Sequence, residues 1–252
     1  MRRLIMISPR FSDHRIWADL PARLTREWEI TFYEQHGPAG GSSAALEVHT
    51  LVTAQPAAVN AVVAAEDGAQ LAVAAALDGL VSGIVLLQPT LDGIPEELGP
   101  VDYSGLEERT AVFAPLITGV NEADPVKWRA LVGDVVDQGI GARLAPDDAA
   151  LIRDVTADHA AEIQGELRRA VTAHARGEQQ EPPPASGRRW IDRIRELPVP
   201  LSVVSTQSGF KAAEILAARA QRGQAFLARG VAGIPWLEDR QLVVDVLETM
   251  AA

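Results

Sequence analysis

The chain has 252 residues, a length that suits one large domain or one domain carrying an insertion. Its formal net charge is −11 with no basic cluster, which argues against a nucleic-acid or anionic-membrane partner. Apolar residues make up 47% of it, Cys is absent and no apolar run could span a bilayer, so disulfides and Cys-ligated metals are excluded and a cytoplasmic protein is expected.

The opening MRRLIMISPR begins with Arg and an apolar run, as a signal peptide does. The run covers only Leu4 to Ile7 before Ser8-Pro9 breaks it, so it reads as a first strand buried on both faces. A loop follows from Ser8 to Trp17. Ala18 to Glu27 then has helical spacing, with Leu20, Leu24 and Trp28 on one face. Ile30 to Tyr33 is the next strand, and Glu34 to Ser42 a Gly-rich turn. A phosphate cradle is disfavoured there, because no helix with a GK[ST] or GxGxxG start comes after it. Val52 to Val63 predicts a helix, with Gln55-Pro56 marking its start or a kink.

The stretch from Asn60 to Pro89 organises the rest. Val62 to Ala65 is a short apolar strand and Glu66-Asp67-Gly68 a tight polar corner. Ala69 to Leu77 is an Ala-rich helix, stopped by Asp78-Gly79, and Gly83 to Leu87 is a buried strand. Residues 90–187 contain helical segments (Lys127 to Val136, Pro146 to Val155, His159 to His174) and no convincing buried strand. Their end, Gly177 to Gly187, is a polar, Pro-rich return linker. Strands resume with Leu201 to Ser205 and Ala225 to Arg229, among helices at Trp190 to Leu197, Phe210 to Arg222 and Leu237 to Met250. This alternation predicts an α/β fold, a doubly wound and mostly parallel sheet. Residues 1–89 and 188–252 form its core domain, and 90–187 an inserted helical lid.

Ala64-Ala65-Glu66-Asp67-Gly68, between strand and helix, resembles the G-x-S-x-G nucleophile elbow of the alpha/beta-hydrolase superfamily. Glu34 to Ser42 is similar to that family's D-x-x-G-x-G-x-S turn, and Ser8-Pro9 stands where family members carry His-Gly. The resemblance implies an oxyanion hole built from the backbone N–H groups of Arg10 and Asp67. It also places Glu66, Ser208 (in Ser205-Thr206-Gln207-Ser208) and Ile234 (in Gly233-Ile234-Pro235-Trp236-Leu237-Glu238) at the positions of the Ser-Asp-His triad. Acyl transfer needs a base beside the nucleophile and a group orienting that base. Ile234 cannot activate water, so ester hydrolysis by the family mechanism is not expected.

A carboxyl group at a helix start feels the dipole, which favours the anion, and desolvation, which favours the acid. Where desolvation prevails, Glu66 becomes an acid–base catalyst. It would then serve a cofactor-independent lyase, isomerase or cyclase reaction on a small, largely apolar metabolite, of the kind found in bacterial secondary-metabolite biosynthesis. The alternative is a catalytically silent relative that binds a ligand or a protein, with Glu66 capping its helix or paired with Arg10. A third reading is a hydrolase with a relocated triad, using Ser12 or Ser42 with His14 or His36. Ser8, His14, His36, Asp92, Tyr103, Ser208 and Ile234 are the candidate pocket residues. Trp17, Trp190 and Trp236 read as core, His159 and His174 as solvated and His49 as structural. No spacing of His, Asp and Glu suggests a metal, no cofactor is implied, and a homo-oligomer stays open.

Overall fold

The computed structural model describes residues 2–24, 28–35, 48, 50, 53, 60–79, 81–89, 111–176 and 190–250. Its apolar runs become six parallel strands: β1 (Arg2–Ile7), β2 (Trp28–Tyr33), β3 (Asn60–Ala65), β4 (Gly83–Leu87), β5 (Leu201–Ser205) and β6 (Gly223–Leu227). They form one sheet in the order β2-β1-β3-β4-β5-β6, every neighbouring pair parallel. β1, β4 and β5 are buried almost throughout, which explains why they lack a polar–apolar alternation. The order reverses at β1, and the ends of β1 and β3 lie side by side where a doubly wound sheet takes its ligands.

The described helices of this unit are α1 (Leu20–Arg23), α2 (Ala69–Leu77), α7 (Trp190–Arg193), α8 (Phe210–Arg219), α9 (Pro235–Glu238) and α10 (Arg240–Met250). Ala69, Leu71, Ala72, Val73, Ala75 and Ala76 of α2 are buried in a core shared with Ile5, Ile7, Val62, Ile84, Leu86 and Val203. The small side chains let this helix lie close on the sheet. Trp17 and Trp236 are fully buried with ring centroids 5.8 Å apart, and Trp236 Nε1 donates to the Ile16 carbonyl. Trp190 is partly buried and packs against the core of the sheet.

The described residues fall into two compact units, one from Met1–Leu98 with Arg188–Ala252 and one from Gly99–Gly187. The second is helical, with α3 (Ala114–Thr118), α4 (Pro125–Gln138), α5 (Pro146–Asp158) and α6 (Ala160–Ala175). Asp124 caps α4 by accepting from the Val126 N–H, and Trp128, Val132, Val135, Leu116 and Ala160 make its core. No described helix is long and apolar enough to cross a membrane.

Several boundaries differ from the sequence expectation, each for a local reason. The first helix spans Leu20–Arg23 alone: Leu24 is already extended, and Trp28 opens β2 by pairing with Arg2 rather than joining a helical face. Val52 to Val63 is not one helix, because Asn60 to Val63 pair with β1 and the buried side chains of Ala61, Val62 and Val63 belong to the sheet. β6 starts two residues before the expected Ala225, since α8 stops at Arg219 and Ala220 turns extended. The closing helix is broken at Asp239, whose carboxylate accepts from the Arg229 N–H. In the second unit α3 was not foreseen, and His159 is a half-buried junction residue 3.4 Å from Glu162 rather than part of a solvated face.

At the end of β3 the chain turns so tightly that a Cβ on Gly68 would lie 2.8 Å from Ile7 Cγ2. Ile7 is fully buried in a central strand and cannot yield. Gly68→Ala is therefore expected to destabilise the protein by about 1–3 kcal/mol through overpacking, read as a lower urea midpoint with an unchanged slope.

Candidate functional site

Ala65 ends β3 in extended geometry, and Glu66, Asp67 and Gly68 form one 3₁₀ turn before α2 begins at Ala69. Glu66 has φ +49°, a left-handed conformation that costs a non-glycine residue of order 1 kcal/mol and that clusters at functional sites. Its carboxyl makes no hydrogen bond or ion pair among the described residues; it neither caps α2 nor pairs with Arg10. Burial pushes that carboxyl up to about 7, and the like charge of Asp67 adds to the effect.

Asp67 is held very differently. Its Oδ1 accepts from the Arg10 backbone N–H at 3.1 Å and from Gln35 Nε2 at 3.2 Å. Gln35 Nε2 also donates to the Ser8 carbonyl at 2.7 Å. Ser8 Oγ accepts from Trp17 Nε1 at 3.0 Å and donates to the Asp13 carbonyl at 3.4 Å. Burial raises the Asp67 carboxyl above its ordinary value, while the Arg10 N–H and Gln35 bonds pull against that shift. Two expectations change here. The Arg10 N–H is not an open oxyanion donor, because a carboxylate of the same chain already takes it. Ser8 is fully buried and serves as a joint in this brace rather than as a pocket wall.

His14 lies at the start of a short 3₁₀ turn, exposed, with its Nδ1 and its backbone N–H each 3.0 Å from Glu34 Oε1. Its ring also packs on Phe32. Asp13, His14 and Glu34 bring ligand-type atoms within 4.8 Å of one another, a grouping invisible in the sequence because Glu34 arrives from β2. Four bonds from Arg15, one from its backbone N–H and three from its guanidinium, already occupy the Asp13 carboxylate, so the group lacks a free anionic donor for a metal at that corner. Ser12 is buried and donates to the Pro9 carbonyl at 2.6 Å, not to a histidine. This removes Ser12 with His14 as a nucleophile and base. His36, Ser42, His49, Asp92 and Tyr103 lie outside the described residues.

Ser208 Oγ sits 3.2 Å from Thr206 Oγ1, just past β5. Ile234 is buried, and its N–H donates to Glu238, which also accepts from the N–H groups of Val231 and Ala232. This loop is thus cinched by its own carboxylate. Sequence reasoning missed Gln88, the residue after β4. Its φ is +45°, and its Oε1 accepts from the Thr206 N–H at 3.0 Å and from Thr206 Oγ1 at 3.3 Å. The only signal would have been its place at a strand end, one residue beyond the Ala65–Leu87 pair and so beside Glu66.

The Glu66 shift makes a stability statement with a definite sign. The folded protein holds this proton more tightly than the unfolded chain, whose glutamate titrates near 4.5. The protonated carboxyl's contribution is therefore fully present below about 4.5, declines as pH rises, and is gone above about 7. At about 1.4 kcal/mol per pKa unit, discounted for partial exposure, the loss is about 2–3 kcal/mol. Glu66→Gln should remove it, so urea melts at about pH 5 and about pH 8 should show wild type losing stability relative to the variant. Parallel behaviour of the two proteins would contradict a desolvated Glu66.

No protein-family model and no curated protein matches the chain. Solved structures do. MenH from S. aureus superposes with a TM-score of 0.66 at 14% identity, covering 99% of this chain and 92% of that one. A hydrolase from Oleispira antarctica gives 0.64 at 11% identity, covering 100% and 91%. A thermophilic esterase from Thermogutta terrifontis gives 0.61 at 16% identity, covering 100% and 89%. With its parallel sheet, strained strand-to-helix turn and flanking helices, the chain has the alpha/beta-hydrolase fold.

Proposed function

We propose that the chain is a cofactor-independent, non-hydrolytic enzyme in which Glu66 moves protons on a small, largely apolar metabolite. The reaction is a lyase, isomerase or cyclase step of biosynthetic type. In this reading Glu66, Ser208 and Ile234 occupy the places of a lost Ser-Asp-His triad, and residues 90–187 are an inserted helical lid. The protein works in the cytoplasm with a small-molecule substrate as its partner.

The observation that carries the reading is Glu66 itself, a partnerless carboxyl on a left-handed elbow residue with its pKa near neutrality. Such a group exchanges protons in both directions at neutral pH, as a general acid or base must. Two further observations support it. Ester cleavage would need an oxyanion donor at Arg10, and that N–H is taken by Asp67. It would also need a base where Ile234 is buried.

The test follows deuterium uptake from heavy water into a panel of small apolar ketones and enones, by mass spectrometry. Wild type is expected to label at least one compound, and Glu66→Gln to lose about 10²-fold or more of that rate. A fluorophosphonate probe should leave wild type unmodified. Equal labelling by the variant, or a covalent fluorophosphonate adduct, would overturn the proposal. Uptake by neither protein would favour a ligand-binding role.

A further inference from the structure

Gln88 follows β4 as Glu66 follows β3, and the Ala65–Leu87 register sets the two side by side at the C-terminal edge of the sheet. Both are left-handed non-glycine residues, with φ +45° and +49°. A glutamine has no intrinsic reason to accept that geometry, so the surroundings must impose it. Its carboxamide is also oriented. The Thr206 N–H can only donate, which fixes Oε1 toward β5 and leaves Nε2 as the opposite limb. Thr206 Oγ1, itself 3.2 Å from Ser208 Oγ, holds the same oxygen. Nε2 has no hydrogen-bond partner among the described residues. It rests against Gly209, where a Cβ would lie only 2.6 Å away. The amide is pinned by its acceptor end, accommodated by a glycine and left with an unspent donor.

We propose that Gln88 Nε2 is the donor that binds the substrate's oxygen, and that the substrate is a carbonyl compound enolised by Glu66. This rests on the proton-transfer reading and specifies its chemistry. The Arg10 N–H, committed to Asp67, cannot fill that role. The Glu66 carboxylate takes a proton from the carbon next to the carbonyl and becomes the acid. The C–H electron pair forms the C=C bond, the carbonyl π pair moves onto oxygen, and the developing enolate oxygen accepts from Gln88 Nε2. Where the carbonyl compound carries a β,γ double bond the product is a dienolate, and return of the same proton to its γ-carbon moves the double bond into conjugation and the oxygen electrons back into the C=O, an isomerisation without any co-reactant.

The probe is 4-nitrophenolate, a planar oxyanion like an enolate, with nitrobenzene as its neutral counterpart. Binding is measured by isothermal calorimetry in a Glu66→Gln background, so that the Glu66 carboxylate does not repel the anion. Gln88→Met is expected to weaken phenolate binding by about tenfold to a hundredfold and to leave nitrobenzene unchanged. Gly209→Ala provides an independent variant. Gly209 has φ −109°, which any residue adopts, and the atom its Cβ would meet is the far end of a flexible side chain. It should fold, displace the amide and weaken phenolate alone. Phenolate binding that survives Gln88→Met, or no phenolate binding in the Glu66→Gln background, would overturn the proposal. Absent deuterium uptake alongside Gln88-dependent phenolate binding would instead remove Glu66 as the base and keep Gln88 as the oxygen site.

Discussion

The site depends on one carboxylate doing a backbone's work. Asp67 Oδ1 joins the loop after β1, through the Arg10 N–H, to the residues after β2, through Gln35. Gln35 in turn reaches the Ser8 carbonyl, and Ser8 reaches Trp17. A buried amide left without its acceptor costs about 1–3 kcal/mol, so these bonds are mutually enforcing. The close approach of Gly68 to Ile7 makes the brace possible, because it brings the turn down onto the end of β1. The strain at Glu66 persists because the turn is held on both sides.

The fold was legible where composition punctuates it. The helix Ala69–Leu77 and the strands Gly83–Leu87 and Leu201–Ser205 have the boundaries that the sequence implies. Short apolar runs between polar corners leave few alternatives. Legibility failed where period was the only guide. Leu20, Leu24 and Trp28 keep a helical spacing, yet Trp28 finds its partner in β1, and tertiary pairing outweighs local period.

The site was legible at the elbow and opaque elsewhere, for a topological reason. Glu66 could be singled out because the turn is local. The groups that give it its surroundings come from distant sequence: Gln35 reaches Asp67 across 32 positions and Thr206 reaches Gln88 across 118. No periodicity encodes such meetings. The family pattern, applied residue by residue, also misread Arg10, since it predicts where an amide lies and not what already occupies it.

Adjacent carboxyl groups in one turn would ordinarily be a liability, as each raises the energy of ionising the other. Here the environment separates them. Asp67 accepts from the Arg10 N–H and from Gln35, bonds that pull against the upward shift that burial imposes on it. Glu66 receives none, and so bears the desolvation and the repulsion of a charged neighbour together. Both carboxyls are raised by burial, but the two acquire separate duties, Asp67 as the acceptor of the brace and Glu66 as the group poised near neutrality. The same logic extends to β4, where Gln88 is fixed at its oxygen and unspent at its nitrogen.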